Sequence, residues 1–245
     1  MLLKAENVSM QFGGFRAVSG ASLEINQGEI IGLIGPNGAG KSTFFNCLVG
    51  DLRPTEGRVW FDGHDVTQAS PEEHAKLGIG RTFQLPATFE DLSILDNVMV
   101  GAFLRHPRVS DALEAAHRVL ELTGLSEIAQ QKAKTLGTPG RKRLEIARVL
   151  ATEPKLMLLD EALAGLTPVE VRRAIELVRK IHQSGVTLVI VEHIMEVILT
   201  LTDRVLVFNQ GKVIASGKPS DVVNDPAVVE AYLGRSLSRQ KGRAA

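Results

Sequence analysis

The sequence predicts an α/β fold built on a parallel sheet. Three observations carry this: short continuous apolar runs that each end in polar residues, helix-period segments between them, and one long helical stretch that interrupts the alternation. The run EIIGLI, residues 29–34, has the form of a buried strand; it ends in a glycine-rich turn and gives way to the helix pattern KSTFFNCLVG. The runs GIGRTF, ending at Phe83, KLMLLD, ending at Asp160, and VTLVIV, ending at Val191, repeat the plan.

The N-terminal third instead alternates apolar and polar residues (VSMQF, ASLEI, GRVWFDG), which predicts a small antiparallel sheet beside the parallel one. Strand signals stop after Gln84. From there to Lys155 the pattern is helical, through SILDNVMVGAFLR, SDALEAAHRVLELTG and SEIAQQKAK to TLGTPGRKRLEIAR. The expected organisation is one domain, 1–245. Its α/β core and β subdomain take 1–84 and 154–235, an inserted helical subdomain takes 85–153, and a frayed basic tail takes 236–245. A further helix is expected from Thr167, with Thr167 as N-cap, Pro168 in the first turn and Glu170 completing a capping box.

Composition narrows the function classes. The 245 residues are 44% hydrophobic, enough for a sizeable core, and 28 basic side chains balance 28 acidic ones, so no overall field draws the chain to nucleic acid. Cys47 is the single cysteine and falls in an apolar helix pattern, which reads as core and excludes a disulfide framework. No apolar run approaches the roughly 18 to 20 residues that span a bilayer, so any membrane role is expected to go through a partner.

The strongest chemical signal is GPNGAGKST: Gly35, Pro36, Asn37, Gly38, Ala39, Gly40, Lys41, Ser42 and Thr43, with a strand before it and a helix after it. Glycines let backbone N–H groups converge on phosphate oxygens at a helix N-terminus, where the helix dipole adds positive potential. Lys41 then meets the outer phosphates of a nucleotide and the Ser42 hydroxyl ligates Mg2+. Asp160 and Glu161 close an apolar strand on the sheet edge where such ligands bind. Asp160 is expected to hold Mg2+ through water and Glu161 to polarise the attacking water. Gln84 and His193 end two further strands, so four strands each place a polar group on one edge.

Taken together, the phosphate loop, the strand-end FQ, the helical insertion ending in a glycine-rich turn, LLDE, and VEH about 30 residues on resemble the ATP-binding subunit of ABC transporters. GPNGAGKSTFFNCLVG, GIGRTFQ, RLEIAR, AGLTP, VEHIMEV and the terminal DPAVVEAYLG are similar to the importer ATPases for branched-chain amino acids, over about residues 2–234. The resemblance implies a RecA-like P-loop NTPase core and an ATPase using ATP and Mg2+. It also implies a second ATPase subunit, identical or different, and transmembrane permease subunits that hold the chain at the cytoplasmic face of the inner membrane. A solute-binding protein would take part indirectly, and nucleic acid would not.

By the same resemblance Phe12 stacks on adenine, although a core strand aromatic is the alternative reading. Gln84 senses the metal and γ-phosphate, and Ala164 to Thr167 contact the second ATPase; His193, which alone would read as a core or turn residue, is assigned to the γ-phosphate from its place among the strand-end polar groups. The family's signature LSGGQ, which grips ATP held by the opposite subunit, falls on Leu136, Gly137, Thr138, Pro139 and Gly140. Gly137 removes a hydroxyl donor there and Pro139 a backbone N–H. Thr138 is expected to cap the helix with Pro139 at its first position. Two weaker alternatives stand beside this reading: a soluble ABC-type ATPase acting on DNA or ribosomes, and a nucleotide-binding structural partner with a degenerate signature.

Overall fold

A computed structural model of the chain describes residues 1–84 and 87–232. The expected tail, 236–245, lies outside them. The chain forms two compact units, 1–70 with 190–245 and 71–189.

In the first unit, β1 (Leu3–Phe12), β2 (Phe15–Ile25), β4 (Glu56–Phe61) and β5 (His64–Asp65) form an antiparallel sheet ordered β2-β1-β4-β5. This is the small sheet the alternating N-terminal third predicts. Leu3, Val8, Val18, Ile25, Val59 and Phe61 supply its buried face. Beside it β3 (Ile30–Ile34) pairs parallel with β9 (Arg204–Asn209), and β9 pairs antiparallel with β10 (Lys212–Gly217). All five residues of β3 are buried, as its unbroken apolar run requires of a strand covered on both faces. The helices of this unit include α1 (Lys41–Leu48), α7 (Met195–Leu201) and α8 (Pro219–Val222), and residues 226–232 are also helical.

The second unit holds α2 (Pro71–Leu77), β6 (Ile79–Arg81), α3 (Ile94–Ala102), α4 (Val109–Thr123), α5 (Thr138–Leu150), β7 (Leu156–Asp160) and α6 (Pro168–Gln183). Its strands run β8-β7-β6, with β6 and β7 parallel. The strand β8 (Thr187–Val191) leaves this unit after Val189. Helices α3, α4 and α5 pack through small side chains, Ala102, Ala112, Ala116 and Ala147, around Ile94, Val98, Leu120 and Leu144. The approach is close: a Cβ on Gly101 would stand 2.2 Å from the carbonyl oxygen of Arg148. The predicted capping box of α6 is present, Thr167 accepting from the Glu170 amide and Glu170 accepting from the Thr167 amide.

Three local expectations are corrected. The strand expected to reach Phe83 ends at Arg81; the Thr82 amide still bonds Leu158 O, and the next amide, that of Phe83, is taken by the Glu145 side chain of α5. The stretch 126–134, expected as a helix, makes only two short 3-10 turns, Ser126–Ile128 and Ala133–Thr135. Its backbone is used elsewhere: the Gln131 and Ala129 carbonyls accept the Ile94 and Leu95 amides at the start of α3. Finally, α5 begins one residue early, with Gly137 as N-cap, Thr138 in the first turn and no side-chain cap; Gly137 takes the extended conformation, φ −69° and ψ 174°, that a cap needs.

Candidate functional site

The phosphate loop links the end of β3 to α1, and its shape follows from two glycines. At Gly35, φ is +145° and an added Cβ would stand 2.1 Å from the Phe208 carbonyl oxygen; at Gly40, φ is +102° and a Cβ would stand 2.5 Å from that of Ala17. Only glycine fits either place. Gly40 is also the N-cap of α1 and gives it no side-chain cap, so the first-turn N–H groups of Lys41, Ser42 and Thr43 are presented at the loop. The Lys41 ammonium donates to Gly35 O at 2.7 Å and Pro36 O at 3.1 Å, which curls a buried cation back over the loop. A cation, an uncapped helix start and a glycine backbone form the donor set that a polyphosphate takes. Ser42 is exposed in the first turn, where its hydroxyl is open to a ligand. Directly below, Cys47 is buried in α1, and burial pushes its thiol up to about 11.

The loop is tied to its surroundings through Gly211, in the turn between β9 and β10. Its amide donates to Ala39 O at 2.8 Å, and its carbonyl accepts the Ser19 amide of β2 at 2.8 Å. The β1–β2 hairpin is thereby fixed to the phosphate loop. At the hairpin tip Phe12 pairs with Phe15, and both rings are open, Phe12 at 47% and Phe15 at 65% exposure. Phe12 is therefore not a core aromatic, and Phe15 is a second available ring that the sequence reading passed over. His193 follows β8 with an exposed side chain, its Nδ1 4.0 Å from a Glu192 carboxylate oxygen. A contact that no motif indicates comes from the far end of the chain: the Gly35 amide hydrogen-bonds the Tyr232 hydroxyl, whose titration burial pushes upward and this bond draws back. Nearby, Val228 packs with Ile34, the residue before the loop.

In the second unit, Asp160 ends β7, buried, with its amide donating to the Thr82 hydroxyl at 3.1 Å and its carboxylate 3.9 Å from the Arg81 guanidinium. Glu161 follows in the left-handed region, φ +47°, an uncommon conformation for a side chain with a Cβ. Gln84 Nε2 donates to Glu161 Oε2 at 3.2 Å, so two groups that the sequence singled out independently meet.

The signature turn opens α5. From this helix the buried Lys142 donates to the carbonyls of Glu161, at 3.0 Å, and Ala164, at 2.6 Å. The buried Glu145 accepts the Phe83 amide at 2.8 Å. Burial pushes the Glu145 carboxyl up to about 6; the Phe83 hydrogen bond, Arg148, Lys142 and Arg81 pull the other way without overcoming it. Neither residue was among the sequence candidates. The sequence offered little signal for them, since Arg141, Lys142, Arg143, Glu145 and Arg148 read together as a basic, solvated helix.

A phosphate cradle after a central strand and a carboxylate pair after another define a P-loop ATPase. Residues 18–164 match the ABC transporter family, and residues 212–237 match the branched-chain amino acid ATP-binding cassette transporter family. The chain belongs to the ABC transporter family and is an ATP-binding ABC-type ATPase. It is 38% identical to the high-affinity branched-chain amino acid transport ATP-binding protein LivG of Salmonella typhimurium, over 96% of this chain and 98% of that one. With the probable branched-chain amino acid transport ATP-binding protein LivG of Archaeoglobus fulgidus the identity is 36%, over 95% of each. The crystal structure of the ADP conformation of an ATP-binding cassette of an ABC transporter superposes with a TM-score of 0.86 at 34% identity, covering 95% of this chain and 98% of that one.

Proposed function

We propose that this chain is the ATP-hydrolysing subunit of an importer for branched-chain or related amino acids, powering transport through separate permease subunits. The observation that carries the ATPase part is Lys41, a buried cation held over a glycine loop at an uncapped helix start. The solute class rests on the relatives' names and on the match of residues 212–237.

In this reading Lys41 and the first-turn amides neutralise the β- and γ-phosphates, and the exposed Phe12 ring takes the adenine face. Ser42, Gln84 and Asp160 would hold Mg2+, their oxygens being the donor type that this ion takes. The metal supplies charge neutralisation at the phosphates. Glu161 accepts a proton from the attacking water and His193 steadies the γ-phosphate. Leu136 to Gly140 face the nucleotide of a second ATPase subunit. No helix among the described residues is long and apolar enough to cross a membrane, so the reading places the chain on permease subunits at the cytoplasmic face, with a solute-binding protein acting through them.

The test separates binding from turnover. Lys41→Ala should abolish ATP binding, whereas Glu161→Gln should bind ATP and stall hydrolysis. Wild-type turnover in Glu161→Gln would refute the role given to that carboxylate. One observation favours a second reading, a subunit that contributes little to its partner's turnover. The start of α5 has Gly137 in place of a hydroxyl and Pro139 in place of an N–H, and no side chain caps it.

A further inference from the structure

The N-terminal turn of α5 carries the signature, yet the middle of the helix makes the tighter connections. Lys142 and Glu145 stand three residues apart, and so on neighbouring positions of one face. Lys142 is 9% exposed and its ammonium sits on two carbonyls, Glu161 O at 3.0 Å and Ala164 O at 2.6 Å. Glu145 is 5% exposed and takes the Phe83 amide at 2.8 Å. One residue therefore grips the loop that carries Glu161, and the other grips the residue next to Gln84. The two gripped segments converge, with Gln84 Nε2 3.2 Å from Glu161 Oε2.

The choice of residue types is informative. Burying charges on a helix is unfavourable unless they are paired, and an apolar side chain at either place would pack without that cost. What an apolar side chain cannot do is hold a backbone carbonyl or a backbone amide. An ammonium with three donors suits two carbonyls that approach together, and a carboxylate suits a single backbone N–H just beyond the end of a strand. Arg148, one more step of three along α5, extends the row: its guanidinium donates to Ala87 O and lies 4.6 Å from the Phe89 ring centroid.

We propose that Lys142 and Glu145 are positioning residues, which use α5 as a common frame to hold Glu161 and Gln84 in register with each other and with the signature turn. This rests on the reading that Glu161 activates water, and goes beyond it by assigning the groups that aim it. Neither residue touches the nucleotide in this assignment; each acts through the segment it holds.

Two measurements on the full chain test it. In native-state hydrogen exchange without nucleotide, Glu145→Ala should speed exchange of the Phe83 amide at least tenfold, while Glu145→Gln, which keeps an acceptor, stays within about threefold of wild type. In single-turnover hydrolysis with the chain in excess over Mg2+ and ATP, Lys142→Met should slow the chemical step at least tenfold with ATP affinity within threefold. Lys142→Arg, which keeps donors for both carbonyls, should recover most of the rate. In a Glu161→Gln background Lys142→Met should change the residual rate less than twofold, because the group it aims is gone. Unchanged Phe83 exchange in Glu145→Ala, or equal rate losses from Lys142→Met with and without Glu161, would overturn the proposal. Should Glu161→Gln turn over at the wild-type rate, the hydrolytic reading fails by itself, and the exchange arm still decides whether the two residues hold their segments.

Discussion

Glu145 offers a perturbation whose size can be worked from the structure. The residue is 5% exposed, and burial raises its carboxyl from 4.5 to about 6 against the opposing pull of the Phe83 amide, Arg148, Lys142 and Arg81. At about 1.4 kcal/mol for each pH unit, that rise corresponds to roughly 2 kcal/mol, and to about 1 to 2 kcal/mol after allowing for partial screening. The sign follows from linkage. A carboxyl raised in the folded state binds its proton more tightly there than in the unfolded chain. Its contribution is thus fully present below pH 4.5 and is lost as pH rises through about 6. Glu145→Gln removes the titration while keeping the shape and an acceptor for Phe83.

The assay is urea unfolding of both proteins between pH 4.5 and 7.5, read as the difference between them, so that every other titrating group cancels. The variant should gain about 1 to 2 kcal/mol on wild type between the two ends of this range, which for a chain of this size is a few degrees in Tm. A difference that is flat with pH, or that favours wild type more as pH rises, would refute the argument that desolvation dominates at this carboxylate.

Three further outcomes are expected. Gly40→Ala, with its Cβ 2.5 Å from Ala17 O and φ at +102°, should cost about 1 to 3 kcal/mol in thermal unfolding and abolish nucleotide binding measured by fluorescence. Tyr232→Phe withdraws the hydroxyl from the Gly35 amide and should lower stability by about 1 kcal/mol, seen as faster hydrogen exchange at Gly35. Gly137→Ser with Pro139→Gly should change the stability of the isolated chain by well under 2 kcal/mol, since serine improves on glycine as a cap by only a few tenths and the proline is tolerated in the first turn. The same pair should raise ATP-induced dimerisation more than tenfold in sedimentation if the missing donors serve a phosphate, because hydrogen bonds to charged groups contribute about 1.5 to 3 kcal/mol each.

What the sequence disclosed is chemistry whose partners lie nearby in the chain. Gly35 to Lys41 form one contiguous loop between a strand and a helix, and Thr167 with Glu170 form a cap within one turn. Each is a local pattern with one dominant physical reading. Residues 126–134 were misread because a helical composition says nothing of carbonyls being claimed by the start of α3. Just past the end of β6 the partner is again distant: the acceptor for the Phe83 amide lies 62 residues away, on Glu145. A glutamate in a basic helix pattern reads as solvated until tertiary structure shows it buried. The phenyl ring of Phe12 had two readings from sequence, and only its exposure separates them.

The position of Cys47 has a practical consequence. With its thiol pushed up to about 11, the sole cysteine is almost wholly protonated at neutral pH and covered by helix α1 and its surroundings. Toward alkylating reagents the folded chain should therefore behave as though it had no cysteine. Labels could be attached at chosen exposed positions, such as Val109, without first removing the native thiol. Conversely, slow alkylation of Cys47 would serve as a clock for the opening of α1, and ATP, bound at the N-terminal end of that helix, should slow the clock.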